Sequence, residues 1–120
     1  MTEQLWIEPV GDIVIVQLKG MVSREIIDEC HKRILRLTQE LGHGRVLLDL
    51  QEVESPSVDV ATYPWNIELQ TGPLKLRRAV LVSNTRIAYL ARMAFGENEV
   101  RVFYHNLDSA IRWLVENDGQ

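Results

Sequence analysis

The sequence predicts an α/β fold: a mostly parallel sheet of four or five strands with an antiparallel edge strand and four helices, in the order ββαβαβαβα. Three observations predict it. The last third alternates apolar β-type runs with amphipathic ones: Arg77–Val82, a short helical stretch, Arg101–Tyr104, then Ala110–Leu114. The middle of the first half carries one long amphipathic stripe between two apolar runs. The N-terminal region holds two β-branched and aromatic runs separated by a turn. Strands alternating with helices bury a sheet under helices, and long connections between strands make them parallel.

Leu5-Trp6-Ile7-Glu8 and Ile13-Val14-Ile15-Val16-Gln17-Leu18 flank Pro9-Val10-Gly11-Asp12, the pattern of a hairpin. The second run is almost continuously apolar, as in a strand buried on both faces, and Gly20 ends it. Ser23 is the expected N-cap of a helix over Arg24–Leu41. Glu25, Asp28 and Glu29 lie near its start and Lys32, Arg33 and Arg36 further along, which suits the helix dipole. Ile27, Cys30, Ile34, Leu37 and Leu41 form its apolar stripe, and Gly42 is its stop. Arg45–Leu50 reads as a short buried strand, parallel to Ile13–Leu18 through a right-handed crossover.

In residues 51–76, Ser55 or Ser57 caps an expected helix through Val58, Ala61, Trp65 and Leu69. Pro64 kinks that helix or opens a new one near Tyr63, and Thr71-Gly72-Pro73 ends it. The segment is expected to be the most mobile ordered part of the domain. Ala79–Val82 is the third parallel strand, and the helix Arg86–Phe95 is entered through Asn84-Thr85 and stopped at Gly96. Val100–Tyr104 is the fourth, and Asn106 caps a last helix with Leu107, Ala110, Ile111, Leu114 and Val115 on its buried side. Trp113, one residue off that stripe, is expected to cover the sheet edge. No repeat, linker or low-complexity stretch interrupts residues 1–120, so one domain is expected.

An apolar fraction of 46% against 25% charged residues excludes a disordered chain. No apolar run approaches the roughly 20 residues that span a bilayer, so no transmembrane segment is expected. Met1-Thr2-Glu3-Gln4 lacks the basic start of a signal peptide, and one cysteine excludes an intramolecular disulfide; both lead us to expect a cytoplasmic protein. The net charge of −4 divides into −6 for residues 1–74, +4 for 75–105 and −2 for 106–120. An acidic whole argues against nucleic-acid binding. The basic stretch reads as solvated helix and strand ends, with an anion-facing surface as the alternative.

The order and spacing of Val14–Gly20, Arg45–Leu50, Arg78–Val82, Val100–Phe103 and Ala110–Leu114 resemble the STAS fold of anti-sigma-factor antagonists, and more closely the SpoIIAA-like family of small bacterial proteins. The resemblance covers nearly the whole chain. It implies a small non-enzymatic module. The related CRAL-TRIO architecture adds, by fold analogy, an apolar small molecule or lipid as ligand. The phosphorylatable Asp-Ser-Ser-Gly motif of the antagonists is absent: Val58-Asp59-Val60 occupies its place, so the kinase-driven switch is not carried over. Ser55 and Ser57 lie nearby, where a phosphate at a helix start is favourable, but a helix cap and a loop hydroxyl are the preferred reading.

Cys30 and His31 are helix neighbours pointing about 100° apart, poor co-ligands, and Cys30 reads as a buried residue. Three scattered histidines without metal-ligand spacing predict no metal, and no cofactor is expected. Neither phosphate-binding glycine loops nor a Gly-x-Ser-x-Gly elbow occurs. Asp49 ends a parallel strand, where α/β folds place functional side chains. Asn84, Thr85 and Arg86 open a helix whose free N–H groups suit an anion, although capping explains Asn84 and Thr85. Tyr63 and Trp65 are the best candidates for a pocket wall or a partner anchor, with Leu69 on the same expected ligand or partner surface, although burial under the sheet is the preferred reading. The leading reading is a non-catalytic cytoplasmic binding or regulatory module whose ligand meets Ser55–Leu69 and Asn84–Arg86. Next comes a carrier or sensor of an apolar small molecule beneath Val58–Leu69, and last an enzyme using Asp49 and an arginine. A homodimer through the unpaired edge Leu5–Glu8 is a further expectation.

Overall fold

The computed structural model describes residues 4–54, 77–89 and 100–116. β1 (Leu5–Val10) and β2 (Ile13–Gly20) form the expected hairpin. Their turn is only Gly11-Asp12: Pro9 and Val10, read as loop, pair with Val14 and Ile13. Gly11 has φ +58, the left-handed conformation that a tight hairpin requires of its turn. α1 (Arg24–Leu41) crosses to β3 (Arg45–Val53), parallel to β2; β4 (Arg77–Val82) and β5 (Val100–Tyr104) follow, each parallel to its predecessor. The sheet order is β1-β2-β3-β4-β5. Residues 85–89 are helical and are called α2; α3 (Leu107–Val115) closes the described chain. Three helices therefore stand among the described residues against four expected, the fourth having been placed at Val58–Leu69, outside them.

The period of two along each strand divides the apolar residues between two layers. Val14, Val16 and Leu18 of β2, Val46, Leu48 and Leu50 of β3, and Val80 and Val82 of β4 face α1 and α2, where they meet Ile27, Cys30, Ile34, Ile87 and Ala88. Ile13, Leu47, Ala79 and Leu81 face α3 and meet Ala110 and Leu114. Fully burying an aliphatic side chain of this size contributes roughly 1.5–3 kcal/mol, so these layers hold the fold. β2 is completely buried only on the α1 side; Ile15 and Gln17, on the other, are half-buried. The expectation of a strand buried on both faces is corrected accordingly, because α3 lies mainly over β3 to β5 and meets β2 only at Ile13 and Ile15.

α1 has the predicted bounds. Ser23 Oγ accepts a hydrogen bond from Ile26 N at 3.3 Å, and Gly42, at φ +76, donates its N–H to Thr38 O at 2.8 Å. Its buried side ends on Thr38, whose hydroxyl donates to Ile34 O at 2.8 Å; Leu41 is exposed. A stripe of i, i+3, i+7 and i+11 from Ile27 lands on Thr38, so Leu41 falls off it. In α3 only Ala110 and Leu114 are buried, while Leu107 and Val115 overhang the sheet at either end and are exposed.

β1 is an outer strand of the described sheet, as predicted, and it carries Pro9. An edge proline offers no N–H to an incoming strand, which shortens the edge available for a homodimer.

Candidate functional site

The parallel strands β2 to β5 end on the same side, and polar residues follow each apolar run there. β3 is longer than the sequence suggested. Lys19 and Gly20 pair with Glu52 and Val53 after a register shift between Gln17 and Lys19, so β3 continues to Val53. Asp49 therefore lies inside the strand, paired with Gln17 and Leu81, and does not end it. Its Oδ1 accepts from the backbone N of Gln51 at 3.0 Å and from Gln51 Nε2 at 3.2 Å.

Gln51 leads to His105. The imidazole Nδ1 lies 2.9 Å from Gln51 Oε1, and Nε2 lies 3.2 Å from the carbonyl oxygen of Ser83. The ring spans the ends of β3 and β4 from a residue just past β5. His105 has φ +57, the one positive value among described non-glycine residues, and its N–H donates to Val82 O at 3.3 Å. Such a backbone costs of order 1 kcal/mol and is kept where surrounding bonds fix it. Next to Ser83, Asn84 Oδ1 accepts from Ile87 N at 2.9 Å, and its Nδ2 donates to Ser83 Oγ at 3.4 Å. On the other flank Gln17 Nε2 donates to Glu52 Oε2 at 3.3 Å. A row of polar side chains thus runs from β3 to β5 across these ends, flanked on β2 by the Gln17–Glu52 pair.

The row has few features of a catalytic centre. The two imidazole nitrogens of His105 are directed at protein oxygens, Gln51 Oε1 and the Ser83 carbonyl, which ties the ring to the strand ends. Cys30, the single thiol, is buried beneath α1, and that burial pushes its pKa up to about 12 despite the nearby Arg33 charge. It is a core residue, as predicted. His31 beside it is driven down to about 4, first by burial, then by the Arg78 guanidinium, with Asp28 opposing. No group of three His, Cys, Asp or Glu side chains suited to a metal ion stands among the described residues.

Of the residues singled out from sequence, Asp49 and Asn84 join this row, and Asn84 also caps α2 as expected. Thr85 and Arg86 are exposed beside it. Ser55, Ser57, Tyr63, Trp65 and Leu69 lie outside the described residues, as does the apolar pocket placed beneath Val58–Leu69. Gln51, Ser83 and His105 were missed. Their signal was the first polar side chain after each of three parallel runs. Arg78 corrects the reading of the basic stretch as solvated: it is 1% exposed, on the α1 side of β4. Arg77, on the other face, stacks its guanidinium 4.1 Å over the Trp113 ring and donates to Trp113 O at 2.9 Å.

A family model described as SpoIIAA-like matches residues 13–115, from the start of β2 to the end of α3. The chain belongs to the SpoIIAA-like family. Every residue of the polar row lies within that SpoIIAA-like segment, and β1 precedes it. An uncharacterized protein with a SpoIIAA-like fold from Shewanella loihica PV-4 superposes with a TM-score of 0.61 at 20% identity, over 92% of this chain and 91% of that one. At that identity the likeness shows the shared fold. A crystal structure of Mglu aligns with a TM-score of 0.39 and 16% identity, over 86% of this chain and 19% of that one, which is too little to argue from. No curated protein matches the chain. No described helix of this SpoIIAA-like protein is long and apolar enough to cross a membrane.

Proposed function

We propose that this SpoIIAA-like domain is a non-catalytic binding module that presents the polar row at the carboxyl ends of β3, β4 and β5 to a protein partner. One observation carries the reading: the His105 ring joins Gln51 and Ser83, so three strand ends form one surface with both ring nitrogens held. A row of partly exposed amide, hydroxyl and imidazole groups on a rigid sheet suits hydrogen-bonded recognition, and ligands of open α/β sheets meet this end. The exposed Asn84, Thr85 and Arg86 extend the surface.

The test is site-specific photo-crosslinking in the native host. A photoreactive residue at Thr85 is expected to give a discrete adduct that the same residue at Arg33, on the outer side of α1, does not give. His105→Ala is expected to reduce that adduct. Equal adducts at both positions, or an adduct indifferent to His105→Ala, would rule the surface out.

A further inference from the structure

We propose that the edge of β5 left unpaired among the described residues accepts an extended acidic segment of a partner protein as an added strand. Its carboxylates would meet Arg101, and its alternate apolar residues would lie beside Val100, Val102 and Tyr104.

The two outer strands of the described sheet differ. β1 carries Pro9 and the carboxylate of Glu8, features that discourage an incoming strand. β5 carries no proline, and it pairs with β4 without a bulge from Arg78↔Val100 to Val82↔Tyr104. Among the described residues it pairs with β4 alone. A strand hydrogen-bonded on one side turns every second N–H and C=O outward, the template used in recognition by strand addition.

Side-chain alternation gives the chemistry of the guest. Arg101 and Phe103 point to the α3 face, opposite Ala79 and Leu81; Val100, Val102 and Tyr104 point to the other. Arg101 is exposed, its guanidinium 5.7 Å from the Phe103 ring centre, and Phe103 leans on Trp113 with ring centres 6.1 Å apart. Stacking holds the guanidinium beside the strand. Tyr104 is 46% exposed, a large apolar surface on the opposite face. A guest strand alternating carboxylate and aliphatic side chains meets both faces.

Charge selects the same guest. Residues 77–89 and 100–116 hold five arginines against two carboxylates, whereas residues 4–54 hold six basic side chains against nine carboxylates. The β5 side is the positive side of the described molecule. A second copy would have to offer its acidic β1 edge, which Pro9 interrupts, and such a head-to-tail contact does not close. The occupant is therefore a segment of another protein.

The experiment titrates the full chain, labelled with nitrogen-15, with a short blocked peptide alternating Glu and Val, following amide shifts and amide exchange. Shifts concentrated in Val100–Tyr104 and slowed exchange there are expected. Arg101→Glu is expected to weaken binding by about tenfold or more, and its own spectrum reports that the fold is intact. A peptide with Lys in place of Glu, and one N-methylated on alternate residues, are both expected not to bind. No binding at all, shifts centred on Leu5–Val10 or on Gln51, Ser83 and His105, equal binding of either control peptide, or indifference to Arg101→Glu would each overturn the proposal. The last would leave Arg101 as a guard against strand pairing.

Discussion

His31 makes the stability of this protein depend on pH in a way that one substitution removes. In an unfolded chain its imidazole titrates near ~6.5. In the fold it titrates at about 4, because burial and the Arg78 guanidinium both disfavour the imidazolium, Asp28 opposing only in part. Above pH ~6.5 the ring is neutral in both states and contributes no pH dependence. As pH falls from there toward 4 the unfolded chain binds a proton that the native state refuses, so stability falls with pH. At pH ~5 the full two-state loss is about 2 kcal/mol, and solvent screening of a half-buried ring reduces it to about 1 kcal/mol. His31→Gln removes the titration while keeping a polar side chain. Urea unfolding of both proteins at pH ~7 and pH ~5 is the assay. The wild type is expected to lose about 1 kcal/mol more than the variant on acidification, equivalent to about 4 °C in Tm. His43, lowered by partial burial and then by Arg45 with Asp12 opposing, is present in both proteins, so its contribution cancels. Parallel losses in the two proteins would refute the account of His31.

Two further substitutions probe the frame. Gly42→Ala meets open space but keeps φ +76, so only backbone strain opposes it; a loss of about 1 kcal/mol in urea unfolding is expected, and Gly42→Asn should recover part of it. Trp113→Ala removes the ring beneath Arg77 and beside Phe103 and is expected to cost about 2–3 kcal/mol in the same assay, whereas Trp113→Phe, which keeps a ring for Arg77, is expected to cost about 1 kcal/mol.

α1 was legible because its ends and its inner side are written locally. Ser23 and Gly42 lie where the caps form, and Ile27, Cys30 and Ile34 recur at helical spacing. β5 has the bounds its apolar run suggested, and β4 ends at Val82 as expected but begins two residues earlier, at Arg77. What failed depended on partners distant in the chain. Gln51-Glu52 looks like a loop, yet it is strand because Lys19 and Gly20 lie alongside beyond a register shift. Arg78 looks like a solvated strand end, yet it is buried on the face of β4 that carries Val80 and Val82. The stripe of α3 was overestimated because helical spacing does not say how much of a helix reaches the sheet. The polar row is the clearest case. His105 meets residues 54 and 22 positions away, and no local propensity encodes that meeting. Asp49 and Asn84 were found because strand ends and helix starts carry their own signals.

Among the described residues, the order of strands across the sheet is the order of strands along the chain. Each strand pairs with the one synthesised just before it, so none has to wait for a later segment to arrive. As the chain leaves the ribosome, β1 and β2 can close through their two-residue turn, and each later crossover can lay one strand on the newest edge. Folding can then keep pace with synthesis at the roughly 5–20 residues per second at which chains are made. Throughout that growth one edge stays with β1 while the other always belongs to the most recently made strand.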